Sequence, residues 1–535
     1  MKLQTLIIST FAVIGLVQIS EINGANILFY MVMASYSHRA PLQPLIDTLA
    51  ERGHNVTFLS AFPSKSPNPK VVEFNPPKVT KFMNQLIGFD FDVYKYRKNS
   101  ELILKVWLHA PLLAIEACEH LYSDSEVLKW MNTSTYDIVV LDSLFNECAY
   151  GVAYHFNAKI IPFGTTVQYP WLSESHFGIP DETSSIPDGM THMPTNMNFL
   201  ERTVTALTPL MWKAYRELWI LPKLEEIARK GLGLEKIPRF VDLDADTSLV
   251  FVNSHWSSEY PRSYPPNVVP VGGIAWHGKV KPLPKKLEDF INKGKNGFIL
   301  VSFGTIAEFT RFDPHVRKAF VNILTKFPNI QFIWKSTFPI EEKLPENVIV
   351  EKWLPQKDVL AHPKIRTFIT HGGLGSVYES ILSKVPMICF PILGEQDYNA
   401  NSMVEKGYGI KLELVTLKEE ELTDALSQIL TNNSYKTNVE RVSTLFTDRP
   451  MNPLDTAVWW IEFLLRNPDS SEFLRPLSAT QSWWVRRQLD VWAFVFIVSL
   501  LIISMPLLIV YSVSKFILRK VIDSSGKLKS KQKME

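Results

Sequence analysis

The sequence predicts an α/β protein built as two facing doubly wound domains, followed by one membrane-spanning helix. Three observations carry this. Short apolar strands alternate with amphipathic helices from residue 26, and the alternation starts afresh at 297. A stretch rich in proline, glycine and tyrosine separates the two series. An apolar run over 491–513, broken only by small hydroxyls and Tyr511, lies near the end. Strand–helix alternation implies parallel sheets covered by helices on both faces.

In chain order, the pattern predicts a strand over 26–32, a helix over 41–52 stopped by Gly53, and a strand over 56–60. Strands over 137–141 and 159–163 flank a helix over 146–156. From 254 to 286, Pro261, Pro265, Pro266, Pro270, Pro282 and Pro284 break regular structure. The second series has strands over 298–303, 330–334, 348–351, 366–370, 385–391 and 409–414. The domains so drawn are 26–265, a linker 266–286, and 287–450. Residues 451–489 contain a helix over 453–466 with one apolar face, expected to pack back across the domains. Within them, residues 473–487 mix Trp with Arg and suit a membrane surface. Two such domains, facing, hold a ligand at the carboxyl ends of their strands.

The ends set the compartment. Residues 1–25 read as a signal peptide: Met1-Lys2, an apolar run over 6–17, then Ser20, Gly24 and Ala25. Residues 490–514 read as a span, since such a helix reaches about 30 Å. Lys515, Arg519, Lys520 and four later lysines follow it, which puts the tail 515–535 in the cytosol. Trp483, Trp484 and Trp492 mark the other boundary. This is a single-pass type I topology, and the final Lys531-Gln532-Lys533-Met534-Glu535 resembles a di-lysine retrieval signal of the endoplasmic reticulum membrane. Three cysteines allow one disulfide, with Cys389 read as core. Sequons stand at Asn55, Asn132 and Asn432; the last two are placed in polar breaks, and Asn55 opens a strand, where access is poor. A formal net charge of +2 gives no argument for nucleic-acid binding.

The chemistry concentrates in 353–396. The strand over 366–370 runs into His371-Gly372-Gly373-Leu374-Gly375-Ser376, and a helix over 377–384 follows. A strand that delivers a glycine-rich turn to a helix N-terminus aims free N–H groups and a positive helix end at an anion. Ser302-Phe303-Gly304-Thr305 likewise ends a strand in a small polar turn, and the strand over 385–391 leads to Glu395-Gln396. Asp90-Phe91-Asp92 and Asp242-Leu243-Asp244 have the spacing of a metal-binding DxD, but neither adjoins a phosphate turn, so both read as solvated acidic loops. No His/Cys cluster has zinc spacing, so no metal or other cofactor is expected.

Trp353-Leu354-Pro355-Gln356, His371-Gly372-Gly373, Glu379, the proline-bounded 386–391 and Glu395-Gln396 together resemble the signature of the UDP-glycosyltransferase family, which includes the animal UDP-glucuronosyltransferases. The resemblance runs from the first strand to the span. It implies two Rossmann-like domains in the GT-B architecture and an inverting transfer of glucose or glucuronic acid from UDP-glucose or UDP-glucuronate to a hydroxyl of a small lipophilic acceptor. Trp353 is then the uracil platform and Gln356 the base-edge contact. His371, with the turn amides from Gly373 through Gly375 to Ser376, holds the diphosphate. Ser302, Gly304 and Thr305 form a second phosphate-side loop, Glu379 accepts the ribose hydroxyls, and Glu395 with Gln396 binds the sugar. Many relatives carry Asp at the Glu395 position, and vertebrate members carry Asn at Gly375, so the pattern is closer to invertebrate members, which often use UDP-glucose. His38 follows the first strand and matches the family's base; Asp142 ends another and matches the aspartate that orients it. Adjacent parallel strands would bring both to one sheet edge. Residues 163–176 and 190–199 are candidates for an apolar acceptor pocket. Two other readings stay open: a non-catalytic lumenal member acting as a binding or partner protein, and, more weakly because no GxGxxG is present, a nicotinamide-dependent oxidoreductase. A homo-oligomer is also left open.

Overall fold

A computed structural model describes residues 24–86, 92–191, 193–276, 278–305 and 307–531. Most of the expected signal peptide, and the last four residues of the tail, lie outside the described residues. Residues up to Ala479 form one compact unit, and Thr480–Glu535 a second.

The first sheet holds β1 (Asn26–Met31), β2 (Asn55–Ser60), β3 (Val71–Phe74), β4 (Ile138–Asp142), β5 (Lys159–Gly164), β6 (Val250–Val252) and β7 (Val268–Pro270). They run parallel in the order β3-β2-β1-β4-β5-β6-β7. The second sheet holds β8 (Phe298–Ser302), β9 (Gln331–Lys335), β10 (Val348–Glu351), β11 (Ile365–Thr370), β12 (Met387–Cys389) and β13 (Gly409–Lys411), also parallel, in the order β10-β9-β8-β11-β12-β13. Strand order reverses between β1 and β4 in one sheet and between β8 and β11 in the other. Open α/β sheets bind ligands at such switch points, beyond the carboxyl ends of the strands.

The central strands are largely apolar and buried because helices cover both faces of each sheet. Along β1, Ile27, Phe29 and Met31 pack into one core and Leu28 and Tyr30 into another. The helix Pro453–Arg466 contributes Ala457, Val458, Ile461 and Leu464 to the first domain's core. Its Glu462 accepts two bonds from Arg52, at 2.5 and 2.9 Å.

Three strands escape the sequence pattern. β3, β6 and β7 have three or four residues each, too few for a periodicity to register. β7 corrects the domain boundary, because it lies inside the expected linker 266–286 yet forms the edge of the first sheet. Proline is tolerated there because Pro270 ends an edge strand. β12 is shorter than expected, trimmed by Pro386 and Pro391. The first helix, Tyr36–Glu51, begins earlier than the pattern implies and accommodates Pro41 and Pro44, so His38 stands in its first turn. At the other end one helix runs Leu489–Lys531 without a break at Pro506, and its Leu489–Ser525 part is long and apolar enough to cross a membrane.

Candidate active site

At the first switch point, His38 and Asp142 come together. Asp142 ends β4 and is fully buried. Its Oδ2 lies 2.6 Å from His38 Nδ1. The loop between β1 and His38 is pinned by Asn146, whose Oδ1 accepts the N–H groups of Val32 and Met33 at 2.9 and 2.8 Å. Thr165, just after β5, adds a third member: its hydroxyl donates to Asp142 Oδ1 at 2.9 Å and sits 2.8 Å from His38 Nδ1. Burial disfavours the imidazolium, but the Asp142 carboxylate and its hydrogen bond outweigh it, and Glu395 adds to them, so the His38 pKa is raised. With Nδ1–H on Asp142, the Nε2 of the neutral ring carries the lone pair.

At the second switch point, β11 delivers His371-Gly372-Gly373 to the N-terminus of the helix Leu374–Leu382. The first-turn N–H groups of a helix have no intrahelical acceptor. His371 is gripped by glycines. A Cβ on Gly304 would stand 2.7 Å from His371 Cε1, and one on Gly373 2.6 Å from its Nε2. Gly304 also needs its glycine for φ +77°. Burial, then the nearby Lys335 ammonium, pushes the His371 pKa down to about 4, so the ring is neutral and can donate from one nitrogen. Lys335, ending β9, donates to the Gly304 carbonyl at 2.6 Å. Ser302 is buried beside it, paired in register with Thr370, while Thr305 and Gly375 are exposed.

The remaining residues of the 353–396 signature divide into three. Gln356 opens a short helix and donates through Nε2 to Glu379 Oε2 at 2.5 Å and Ser376 Oγ at 3.2 Å. Burial pushes the Glu379 carboxyl up to about 7. Trp353 is exposed, with the Lys65 ammonium 4.4 Å from its ring centre. Gln396 turns its Oε1 inward to accept from the N–H groups of Ile392 and Leu393, at 2.8 and 3.0 Å. Glu395 beside it has a pKa raised by burial, against a lowering by backbone hydrogen bonds and by His38 across the cleft.

Three further groups gather around this meeting point. Tyr169 is buried, and its hydroxyl lies 4.0 Å from where a Gly394 Cβ would stand. Asp188 is buried with Oδ1 on the Met190 N–H and Oδ2 unpartnered, and burial lifts its pKa to about 6. Phe145, three residues after Asp142, has φ +61° and packs between Trp107 and Trp171, with ring centres 6.5 and 6.2 Å away. A bulky residue at positive φ is strained, and such strain clusters at functional sites. Of the candidate acceptor stretches, Phe163 and Trp171 are core, Met190 is partly buried against that core, and Phe199 is exposed outside.

Several expectations are revised. Asp244 is not a solvated loop residue: it is buried, accepts from Arg216 at 2.7 Å and Tyr150 at 2.5 Å, and lies in a helix. Asp242 is exposed and paired with Arg239. Asp92 caps the helix Val93–Lys98, whereas Asp90 and Phe91 lie outside the described residues. Asn132 stands in the last turn of the helix Ser125–Thr133 rather than in a break; it, Asn432 and Asn55 are all exposed. Asn55 donates to Asn26 Oδ1 at 2.9 Å. Cys118 and Cys148 form a disulfide, and Cys389 is buried and free, as expected of a core strand.

Two parallel sheets whose switch points share one cleft, a glycine-rich turn at a helix N-terminus on one side and a histidine–aspartate pair on the other, have the GT-B architecture of glycosyltransferases. Solved structures agree on the fold: a kitacinnamycin glycotransferase covers 83% of this chain and 99% of its own at TM-score 0.55 and 16% identity. The calicheamicin glycosyltransferase CalG4 gives TM-score 0.53 at 18% identity over the same shares. The UDP-glucoronosyl and UDP-glucosyl transferase family profile matches residues 27–528, and the chain belongs to that family. Among its relatives, UDP-glucosyltransferase 2 of Dactylopius coccus is 29% identical over 93% of this chain and 94% of its own. Human UDP-glucuronosyltransferase 1A8 is 30% identical over 93% of each. The chain is a UDP-glycosyltransferase.

Proposed function

We propose that the chain transfers a hexosyl group from a UDP-sugar to a hydroxyl of a small lipophilic acceptor, with inversion, using His38 as base and Asp142 and Thr165 to orient it. The observation that carries this is the His38–Asp142 pair at 2.6 Å, coupled electrostatically to Glu395 across the cleft from the phosphate turn. The donor lies along the second sheet. Trp353 takes the base, Glu379 and Gln356 the uridine, neutral His371 and the helix N-terminus the diphosphate, and Glu395 with Gln396 the hexose. The acceptor lies against Phe145, Trp107 and Trp171. As the acceptor oxygen attacks the anomeric carbon, its proton passes to His38 Nε2 and UDP leaves toward the helix N-terminus. Membranes incubated with labelled UDP-glucose and UDP-glucuronate and a panel of phenols test the reading; no product from either donor in a folded preparation counts against it.

The sugar end favours an uncharged hexose. Tyr169 stands among Glu395, Asp188 and Asp142, whose carboxylates all raise its pKa beyond what burial does. Arg262 lies near Asp188, but its Nη1 is held by both Asp181 oxygens, at 3.1 and 2.9 Å, and its Nη2 donates to Tyr398. A glucuronate carboxylate would add like charge here, at a cost of about 1–2 kcal/mol for charges ~10 Å apart at an effective dielectric near 20. UDP-glucose is expected to exceed UDP-glucuronate in kcat/KM by about 5- to 30-fold. Equal values would remove the argument.

The compartment follows the same reading: residues 26–489 in the endoplasmic reticulum lumen and 515–535 in the cytosol. The Cys118–Cys148 disulfide suits an oxidising lumen. Protease protection of sealed microsomes, with loss of the tail only, is the expected result.

A further inference from the structure

The helix Val93–Lys98 lies in the N-terminal half of the chain, between the helices Pro77–Leu86 and Ser100–Tyr122. Its packing belongs to the other half. Val93 and Tyr94 are buried in the core of the second sheet, and the Tyr94 ring lies 5.0 Å from Phe312. Lys98 pairs with Asp313 at 2.8 Å. Asp92 starts the helix by accepting the N–H groups of Tyr94 and Lys95. Between these anchors, Arg97 is 9% exposed and grips two carboxylates of the second domain. Its Nη1 and Nη2 donate to Asp397 at 2.6 and 3.3 Å, and its Nε and Nη2 to Glu413 at 3.2 and 2.6 Å. Lys411 completes the Asp397 site at 2.6 Å.

Asp397 follows Glu395-Gln396 directly, in the first turn of the helix Gln396–Glu405. The turn is therefore held at two points: Gln396 ties it to the backbone of 392 and 393, and Arg97 ties its exit to the first half of the chain. A planar guanidinium that bonds two carboxylates fixes orientation as well as distance. We infer that the helix Val93–Lys98 is a strap reaching from the acceptor-binding half onto the donor-binding half, and that Arg97 is a positioning residue that sets the Glu395-Gln396 turn for the hexose. This rests on the proposed reading of that turn as the sugar contact. It ties the order of the sugar contact to the closeness of the two halves, so acceptor-side and donor-side geometry are set together.

The test uses the full-length protein in membranes and two constants: KM for whichever of UDP-glucose and UDP-glucuronate the wild type uses better, and the inhibition constant of UDP, which lacks the hexose. Arg97→Met is expected to raise the donor KM about tenfold and leave the UDP constant within about twofold. Arg97→Lys should recover part of the loss. Lys98→Met, which releases the strap's outer pair without touching Asp397, should change neither constant. A role confined to stability would lower the active fraction and leave both constants alone. An unchanged donor KM in Arg97→Met, or equal rises for donor and UDP, overturns the inference. If that variant does not fold, Glu413→Gln, at a carboxylate 40% exposed, carries the test: a severalfold rise in the donor-to-UDP ratio supports the strap, and an unchanged ratio overturns it. A wild type that turns over neither donor brings down the proposed function, and the inference with it; an active wild type with an insensitive ratio brings down the inference alone.

Discussion

Replacing His38 with alanine is expected to lower kcat about 10³-fold while UDP affinity stays within about twofold. The separation follows from placement: His38 stands on the first sheet beyond β1, and the turns proposed to hold the donor stand on the second. Nothing in the contacts of Trp353, Glu379 or His371 runs through His38. Its Nδ1 is held at 2.6 Å by a fully buried carboxylate, which selects the tautomer with a free Nε2 and stabilises the imidazolium formed on proton removal. The base acts only when neutral. Burial would lower its pKa, but Asp142 and Glu395 raise it above the ordinary 6.5. Activity should therefore rise with pH through a limb centred above 6.5. Asp142→Asn removes the largest raising influence and the tautomer control together. Its acid limb should move to lower pH, and kcat should fall about 10²–10⁴-fold. Thr165→Val, which removes one bond to Asp142 and keeps the carboxylate, should cost less. Near-full turnover by His38→Ala at saturating donor would take proton removal away from this residue. So would an acid limb that Asp142→Asn does not move.

The parts of the site that sequence reveals are those carried by contiguous spacing. His371-Gly372-Gly373 before an apolar helix, and Glu395-Gln396 after a proline-bounded strand, are local patterns. The structure keeps them local, as the turns after β11 and β12. The His38–Asp142 pair is legible for another reason: Asp142 ends a strand, His38 follows one, and alternation implies a parallel sheet. Only the adjacency of β1 and β4 needs the fold. What stays hidden depends on distance in the chain. Thr165 joins His38 from 127 residues away, and Arg97 reaches Asp397 over 300. Neither threonine nor arginine stands out where neither adjoins a motif. Lys335 ends an ordinary apolar strand and gains meaning only because β9 lies beside β8. The misreading of Asp244 has the same root. A carboxylate in a polar stretch reads as solvated until Arg216 and Tyr150, from other helices, are placed against it. The linker boundary failed because a three-residue edge strand carries no period.

Replacing Gly373 with alanine is expected to weaken UDP and UDP-sugar alike by about 10–100-fold, that is about 1.4–2.7 kcal/mol. The new methyl would stand 2.6 Å from His371 Nε2, closer than non-bonded atoms sit. Gly304 packs against the same Cε1–Nε2 edge of the ring, close enough that a Cβ there would stand 2.7 Å from Cε1, so this edge has little room to spare. His371 must therefore turn out of the plane in which its neutral ring faces the helix N-terminus. The diphosphate then loses a donor and the approach to the first-turn N–H groups. This is the reverse of the His38 outcome: affinity for UDP itself falls, and the rate at saturating donor falls less. Helix propensity is not the cause, since alanine in place of glycine at a helix start costs at most about 1–2 kcal/mol of stability and touches no ligand. A double-mutant cycle isolates the clash. Once His371→Ala has removed the ring, adding Gly373→Ala should cost almost nothing further, because the methyl then meets empty space. If instead the two losses add fully, the alanine acts on the turn or the helix end rather than on His371. Gly375→Ala is the internal control. No atom lies within 4 Å of its added methyl, so a small change in UDP affinity is expected where Gly373→Ala gives a large one. Both alanines sit at the start of the same helix, and only the one facing the imidazole should cost the enzyme its donor.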